Sequence, residues 1–264
     1  MTLLYVTSFT PAIFRASGRR LVDSFLASQT PGRLLVCHEG FSGPFPVRGA
    51  ALRSHPIGAS ALLRDWLAAN RDIIPPRFGG AAPVCHCPDP ADPLGVHAPG
   101  CHAGWYNYNA ARWFRKVVAL HYALRRPSCD AYVWLDADCV FTARLPDTEV
   151  QSWFGRSAVF YLKGPGRQVV ESGVLGIRNS PTGRRFIQAA VDRYRSGDFR
   201  RDPRWDDGYQ FQMTLLRHPE ISRTDLAVAA SKNLDVVPYS PVRPYLRHDK
   251  GTHAVALRLV PSPR

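Results

Sequence analysis

Residues 131–141 read Ala-Tyr-Val-Trp-Leu-Asp-Ala-Asp-Cys-Val-Phe, and this stretch constrains the chain more than any other. Tyr132 to Leu135 is a short apolar run of aromatic and branched residues, the composition of a strand buried on both faces of a parallel sheet. It ends in two carboxylates, Asp136 and Asp138. Side chains alternate along an extended segment, so the two point to one side, where a hard cation can sit between them and water. The competing reading is a solvated loop, because pairs of aspartates near turns are common.

The flanking segments fit an α/β chain. Leu3 to Thr7 reads as a first strand, with Thr7, Ser8 and Phe9 at its carboxyl end, where doubly wound sheets line a nucleotide crevice. Leu21, Val22, Phe25 and Leu26 recur at helical spacing within 17–28, and Leu34 to Val36 forms a second strand closed by His38-Glu39-Gly40. This β-α-β start implies a right-handed crossover. A further helix carries Leu62, Leu63, Trp66 and Leu67, before Pro75-Pro76. A long helix over 105–125 places Trp113, Val117, Leu120 and Leu124 on one face and Arg112, Arg115 and Lys116 on another. That cationic face is either solvated or turned towards a diphosphate or acceptor. Strands at 159–162 and 174–177, helices at 181–195 and from Arg204 on, and a short strand over 234–238 complete the pattern. The expectation is one α/β domain over 1–264 with a mostly parallel central sheet flanked by helices.

Residues 79–104 break the pattern, being dense in Pro, Gly, Ala and Asp without periodicity, and read as an inserted surface loop. Cys85, Cys87, Cys101 and His102 supply four ligands of the kind a structural zinc takes, although Cys-X-Cys is not the usual zinc-finger gap; incidental thiols are the alternative.

Three further constellations carry chemistry. Glu171-Ser172-Gly173 puts a carboxylate and a hydroxyl at the mouth of a strand, suited to hydrogen bonding a sugar or acceptor while the glycine lets backbone approach. In Trp205-Asp206-Asp207-Gly208, one aspartate serves as a helix cap, which covers Asp206 and leaves Asp207 as candidate general base. His248 and Lys250, followed by Gly251, can present an imidazole to a cation and an ammonium to phosphate oxygens. Formal net charge is +13, mostly through arginine, so an anionic partner is expected unless the whole proteome is arginine-rich. No basic leader and no apolar run of bilayer length is apparent, which predicts a soluble, cytoplasmic protein with reduced thiols.

Taken in order, Thr7-Ser8-Phe9, Asp136-Ala137-Asp138, Glu171-Ser172-Gly173, Trp205-Asp206-Asp207-Gly208-Tyr209 and His248-Asp249-Lys250-Gly251 resemble the GT-A (Rossmann-like) nucleotide-sugar glycosyltransferases along most of the chain. The resemblance implies that Asp136, Asp138 and His248 hold Mn²⁺ or Mg²⁺, that Lys250 contacts the leaving diphosphate of a donor such as a UDP-sugar, and that Asp207 deprotonates the acceptor. Glu171 is the second candidate catalytic carboxylate, while Thr7, Ser8, Phe9, Arg115, Lys116, Ser172, Gly173 and Gly251 complete the donor site. More narrowly, Arg115-Lys116, Trp205-Asp206-Asp207 and Tyr245-Leu246-Arg247-His248-Asp249-Lys250-Gly251 look like a bacterial and phage group, the TET/JBP-associated glycosyltransferases. That group departs from this chain by often carrying His where Asp206 stands. The likeness implies DNA as partner, with the hydroxymethyl group of a 5-hydroxymethylcytosine-type base as acceptor. A glycan, lipid or protein hydroxyl is the alternative acceptor, and a non-catalytic nucleic-acid-binding protein with a zinc loop is the alternative of another class.

Overall fold

A computed structural model describes residues 1–73, 109–126, 128–167, 169–229 and 236–249. The expected loop at 79–104, with Cys85, Cys87, Cys101 and His102, lies outside these residues, as do Lys250 and Gly251.

Among the described residues nine strands form two sheets: β1 (Leu3–Phe9), β2 (Arg33–His38), β3 (Leu52–Pro56), β4 (Ala131–Leu135), β5 (Cys139–Phe141), β6 (Val159–Leu162), β7 (Glu171–Arg178), β8 (Arg223–Asp225) and β9 (Leu246–His248). Seven make a sheet in the order β3-β2-β1-β4-β7-β6-β8, and β5 pairs with β9 in a separate ribbon. The pairs β1–β2, β2–β3, β1–β4 and β6–β8 are parallel, whereas β7 runs antiparallel to both β4 and β6. Six strands therefore point one way and β7 alone the other. Successive strands leave β1 on opposite sides, to β2 and to β4, so the order reverses between β1 and β4. In such sheets the crevice opens at that point, beyond the strands' carboxyl ends.

The helices are α1 (Pro11–Ile13), α2 (Arg19–Ser28), α3 (Ala61–Ala69), α4 (Ala110–Leu124), α5 (Asp147–Phe154), α6 (Pro181–Ser196) and α7 (Asp207–Arg217). A π-helical turn, Phe14–Gly18, joins α1 to α2, so the helix expected over 17–28 begins earlier, at Pro11 behind the Thr10 cap. The Asn109 side chain caps α4 and Ser180 caps α6, with Pro181 in the first turn and Gly197 beyond the end at φ 81°.

Strand side chains divide between two cores. Leu4, Val6, Leu35, Tyr132, Trp134, Leu175 and Ile177 face α3, α4, α6 and α7, while Leu3, Tyr5, Leu34, Val133, Leu135 and Val174 face α2 and α5. Both faces are covered, which is why the strands read as unbroken apolar runs instead of alternating ones. The α/β class, the mostly parallel central sheet and its flanking helices are as expected.

Three local expectations are revised. Asp136 to Cys139 is a turn, closed by Cys139 N–H donating to the Asp136 carbonyl at 3.0 Å, not an extended segment. Glu171 belongs to β7 itself instead of preceding it. In the described part of 234–238 the backbone enters a 3₁₀ turn, Val237–Tyr239, because Pro238 fixes φ and removes a donor.

Gly176 of β7 packs directly beneath Phe160, and a Cβ added there would overlap the ring. Gly176→Ala is expected to lower unfolding free energy by about 1–3 kcal/mol through overpacking, measured by urea denaturation; an unchanged midpoint would contradict this packing.

Candidate active site

The acidic turn lies at the carboxyl end of β4, next to the start of β7, where Leu135 pairs with Val174 and Asp136 N–H donates to the Gly173 carbonyl at 2.9 Å. Antiparallel pairing brings Glu171, Ser172 and Gly173 to this sheet end. The third contributor arrives from near the end of the chain. β9 pairs with β5 immediately after the turn, in the register Cys139 to His248, and Asp249 N–H donates to the Asp138 carbonyl at 2.9 Å. His248 is thereby seated against Asp138, its Nε2 2.9 Å from Oδ1.

Asp136, Asp138 and His248 each offer a ligand atom, and these lie within 4.8 Å of one another. Two carboxylates and an imidazole are a donor set that could hold a divalent cation. Asp136 Oδ1 accepts from Trp134 Nε1 at 2.7 Å and lies 2.8 Å from Lys116 Nζ, while no hydrogen bond among the described residues uses its Oδ2. The carboxylate is thus fixed with an oxygen left for a cation. Gly173 makes room for the imidazole: a Cβ there would lie 2.5 Å from His248 Cε1 and 3.0 Å from Nδ1.

Next to these three residues sits a buried ionic cluster. Lys116, on α4, is ion-paired with Asp136 and with Asp207 and donates to the Ser172 carbonyl and hydroxyl at 3.1 Å. Ser172 Oγ in turn donates to Asp207 Oδ2 at 2.8 Å. Asp206 caps α7 by accepting from Tyr209 N–H at 3.2 Å and pairs with Arg204, which leaves Asp207 to the cluster, as the sequence indicated. Glu171 Oε1 accepts from Gly173 N–H at 3.2 Å, with Arg167 3.6 Å from Oε2.

Protonation follows from these contacts. Burial opposes the Lys116 ammonium, but Asp136 and Asp207 outweigh it and hold its pKa above the ordinary lysine value. Burial lifts the Asp207 carboxyl above its ordinary range despite the pull of Lys116. Burial acts in the same sense on Asp136, where Lys116 prevails and the pKa falls. At His248 burial disfavours the charged imidazole, yet the bond to Asp138 and its charge raise the pKa.

The other expected site residues are placed differently. Lys116 is buried, not on an exposed cationic face, and Arg115 pairs with Glu39 through Nε at 2.5 Å. Thr7 and Phe9 are buried in β1, Phe9 among Phe14 and Phe45, and Ser8 is half-buried. Trp134 was not singled out from sequence, although alternation along β4 places it on the same side as Asp136, two residues on.

No protein-family model matches the sequence, and no curated protein does. Among solved structures the chain is similar to the apo form of mouse xyloside xylosyltransferase 1, at 14% identity over 86% of each chain with a TM-score of 0.46. It is also similar to the glycosyltransferase GlyE of Streptococcus pneumoniae TIGR4, at 13% identity and a TM-score of 0.43, over 85% of this chain and 45% of that one.

Asp138→Ala is expected to weaken Mn²⁺ binding by at least about tenfold, since losing even an outer-shell partner of a metal ligand costs that much. Gly173→Ala is expected to weaken it as well by displacing the imidazole, with the fold retained by circular dichroism. Isothermal titration checks both; unchanged affinity in Asp138→Ala would remove the cation site.

Proposed function

We propose that the chain is a metal-dependent glycosyltransferase, transferring a sugar from a nucleotide-sugar donor, a UDP-sugar, to a hydroxyl acceptor. The observation that carries this reading is the convergence of Asp136, Asp138 and His248 beyond the carboxyl ends of the parallel strands, next to the β1/β4 switch point. A crevice in that position suits a nucleotide, and a hard cation at its mouth suits a diphosphate. In this reading 1–264 is one domain, with 79–104 as its insertion.

Asp136, Asp138 and His248 would hold Mn²⁺ or Mg²⁺, which when bound supplies positive charge for the departing diphosphate. Asp207 is the proposed proton acceptor: its contacts with Lys116 and Ser172 both use Oδ2, and its raised pKa makes the carboxylate a stronger base than a solvated one. The Ser172 hydroxyl orients it. Glu171, held by the Gly173 N–H, would hydrogen-bond a sugar or acceptor hydroxyl. Lys250 and Gly251, just after β9, are assigned to the diphosphate by the sequence resemblance alone.

For the acceptor, the preferred reading is a hydroxymethylated pyrimidine in DNA. It is supported by the net charge of +13 and by the likeness of the Trp-Asp-Asp and His-Asp-Lys-Gly segments to the TET/JBP-associated group. Arginines of such a surface bind phosphates without reading sequence, and the base would flip out of the duplex to reach the site. No helix among the described residues is long and apolar enough to cross a membrane.

Incubation with Mn²⁺, a panel of UDP-sugars and 5-hydroxymethylcytosine DNA should give a glycosylated nucleoside by mass spectrometry. Asp207→Asn is expected to lower kcat by roughly 10²-fold or more, as loss of a general base does. Donor turnover unchanged in both Asp138→Ala and Asp207→Asn would overturn the enzyme reading, and turnover only on glycan, lipid or protein hydroxyls would overturn the DNA acceptor.

A further inference from the structure

Lys116 carries a buried positive charge with nothing left to offer a ligand. On a residue 4% exposed, its ammonium meets Asp136 Oδ1 at 2.8 Å, Asp207 Oδ2, and the carbonyl and hydroxyl of Ser172 at 3.1 Å each. An ammonium has three N–H donors, and four acceptors already surround this one. The Trp134 ring, 5.0 Å from Nζ, closes a further side. A diphosphate oxygen would therefore have to displace an existing partner, so Lys116 is not built as a donor-binding residue.

One ammonium is instead shared by two carboxylates with different tasks. Asp136 faces the cation site, and Asp207 opens α7. Charges buried at this range are poorly screened by solvent, so the share of Lys116 taken by one carboxylate changes what the other presents.

We infer that Lys116 is a positioning residue that links the cation site to α7: by absorbing part of the Lys116 charge, Asp207 sets how much negative charge Asp136 presents to a cation. The inference rests on the cation reading of the site and adds a regulation to it. When Asp207 loses its charge, by substitution or by taking up the acceptor's proton, the whole of Lys116 bears on Asp136 and the grip on a cation loosens. The linkage has a direction useful to turnover, since release of the nucleoside diphosphate from the site follows the transfer in which that proton moves.

The test compares full-length wild type, Lys116→Met, Asp207→Asn and the double variant in two measurements. In Mn²⁺ titrations followed by electron paramagnetic resonance of the free ion, Asp207→Asn is expected to raise Kd roughly five- to tenfold, the usual size of coupling between contacting charged groups. In the Lys116→Met background the same substitution should change Kd by less than about twofold, because the connecting charge is gone. An unchanged Kd in Asp207→Asn, or an equal rise in both backgrounds, overturns the linkage.

In EDTA, Lys116→Met should lower Tm by leaving the buried Asp207 and the half-buried Asp136 without a counter-charge, and adding Asp207→Asn should recover part of that loss. A double variant no more stable than Lys116→Met overturns the shared ion pair itself. The EDTA measurement involves no cation. A wild type that binds no Mn²⁺ therefore overturns the cation reading and the linkage with it, while the Tm values still decide whether Lys116 bridges the two carboxylates.

Discussion

The ribbon formed by β5 and β9 joins the acidic turn to a segment 110 residues further along, and the site is assembled across it. Asp138 is followed directly by β5, and His248 closes β9, so pairing Cys139 with His248 fixes the imidazole opposite the carboxylate to within hydrogen-bonding distance. Two features make this seating feasible. Gly173, in the adjacent strand β7, has no side chain where the imidazole lies, and the backbone bond from Asp249 to Asp138 extends the pairing past His248. A three-residue strand contributes little stability by itself, but its buried Leu246 anchors it in the core shared with α2 and α5.

Charge is the second constraint. Asp138, Glu171 and Asp207 are all buried, which is expensive unless each is paired. Lys116, Arg167 and His248 supply the partners. The arrangement explains why α4 carries a lysine on a buried face otherwise made of Trp113, Val117 and Leu120. The helix delivers one ammonium beneath the sheet's carboxyl end, where two strands and α7 converge. Preorganisation of this sort places fixed charges around a reacting group without the reorganisation that water would require.

Much of the framework was legible in the sequence because it rests on local pattern. Apolar runs at 132–135, 159–162 and 174–177 announced buried strands, helical spacing marked α4 and α6, and the Asp206 cap marked the start of α7. The assignment of Asp206 as the cap of α7 followed from the need of a helix start for one acceptor only. What escaped depends on long-range pairing. The edge strand β3 has exposed side chains at Arg53 and Ser54 and lacks an apolar run; β8 and β9 are three residues each, too short for periodicity to show. The inward turn of Lys116 was equally hidden, because helical spacing groups it with Arg112 and Arg115 and only the tertiary structure shows Asp136 and Asp207 waiting for it. At β1 the assignment of Thr7 and Phe9 to a ligand followed from their place at a strand end, yet both side chains enter the core.

The central claim is that the aspartate pair and His248 grip one divalent cation at the carboxyl end of the sheet. Crystals of the full-length protein grown with Mn²⁺ and a nucleoside diphosphate, with data collected at the manganese absorption edge, test it most directly. The account predicts a single strong anomalous peak within coordinating distance of Asp136, Asp138 and His248, with diphosphate oxygens on its open side. A peak elsewhere, or none with His248 still hydrogen-bonded to Asp138, would contradict it.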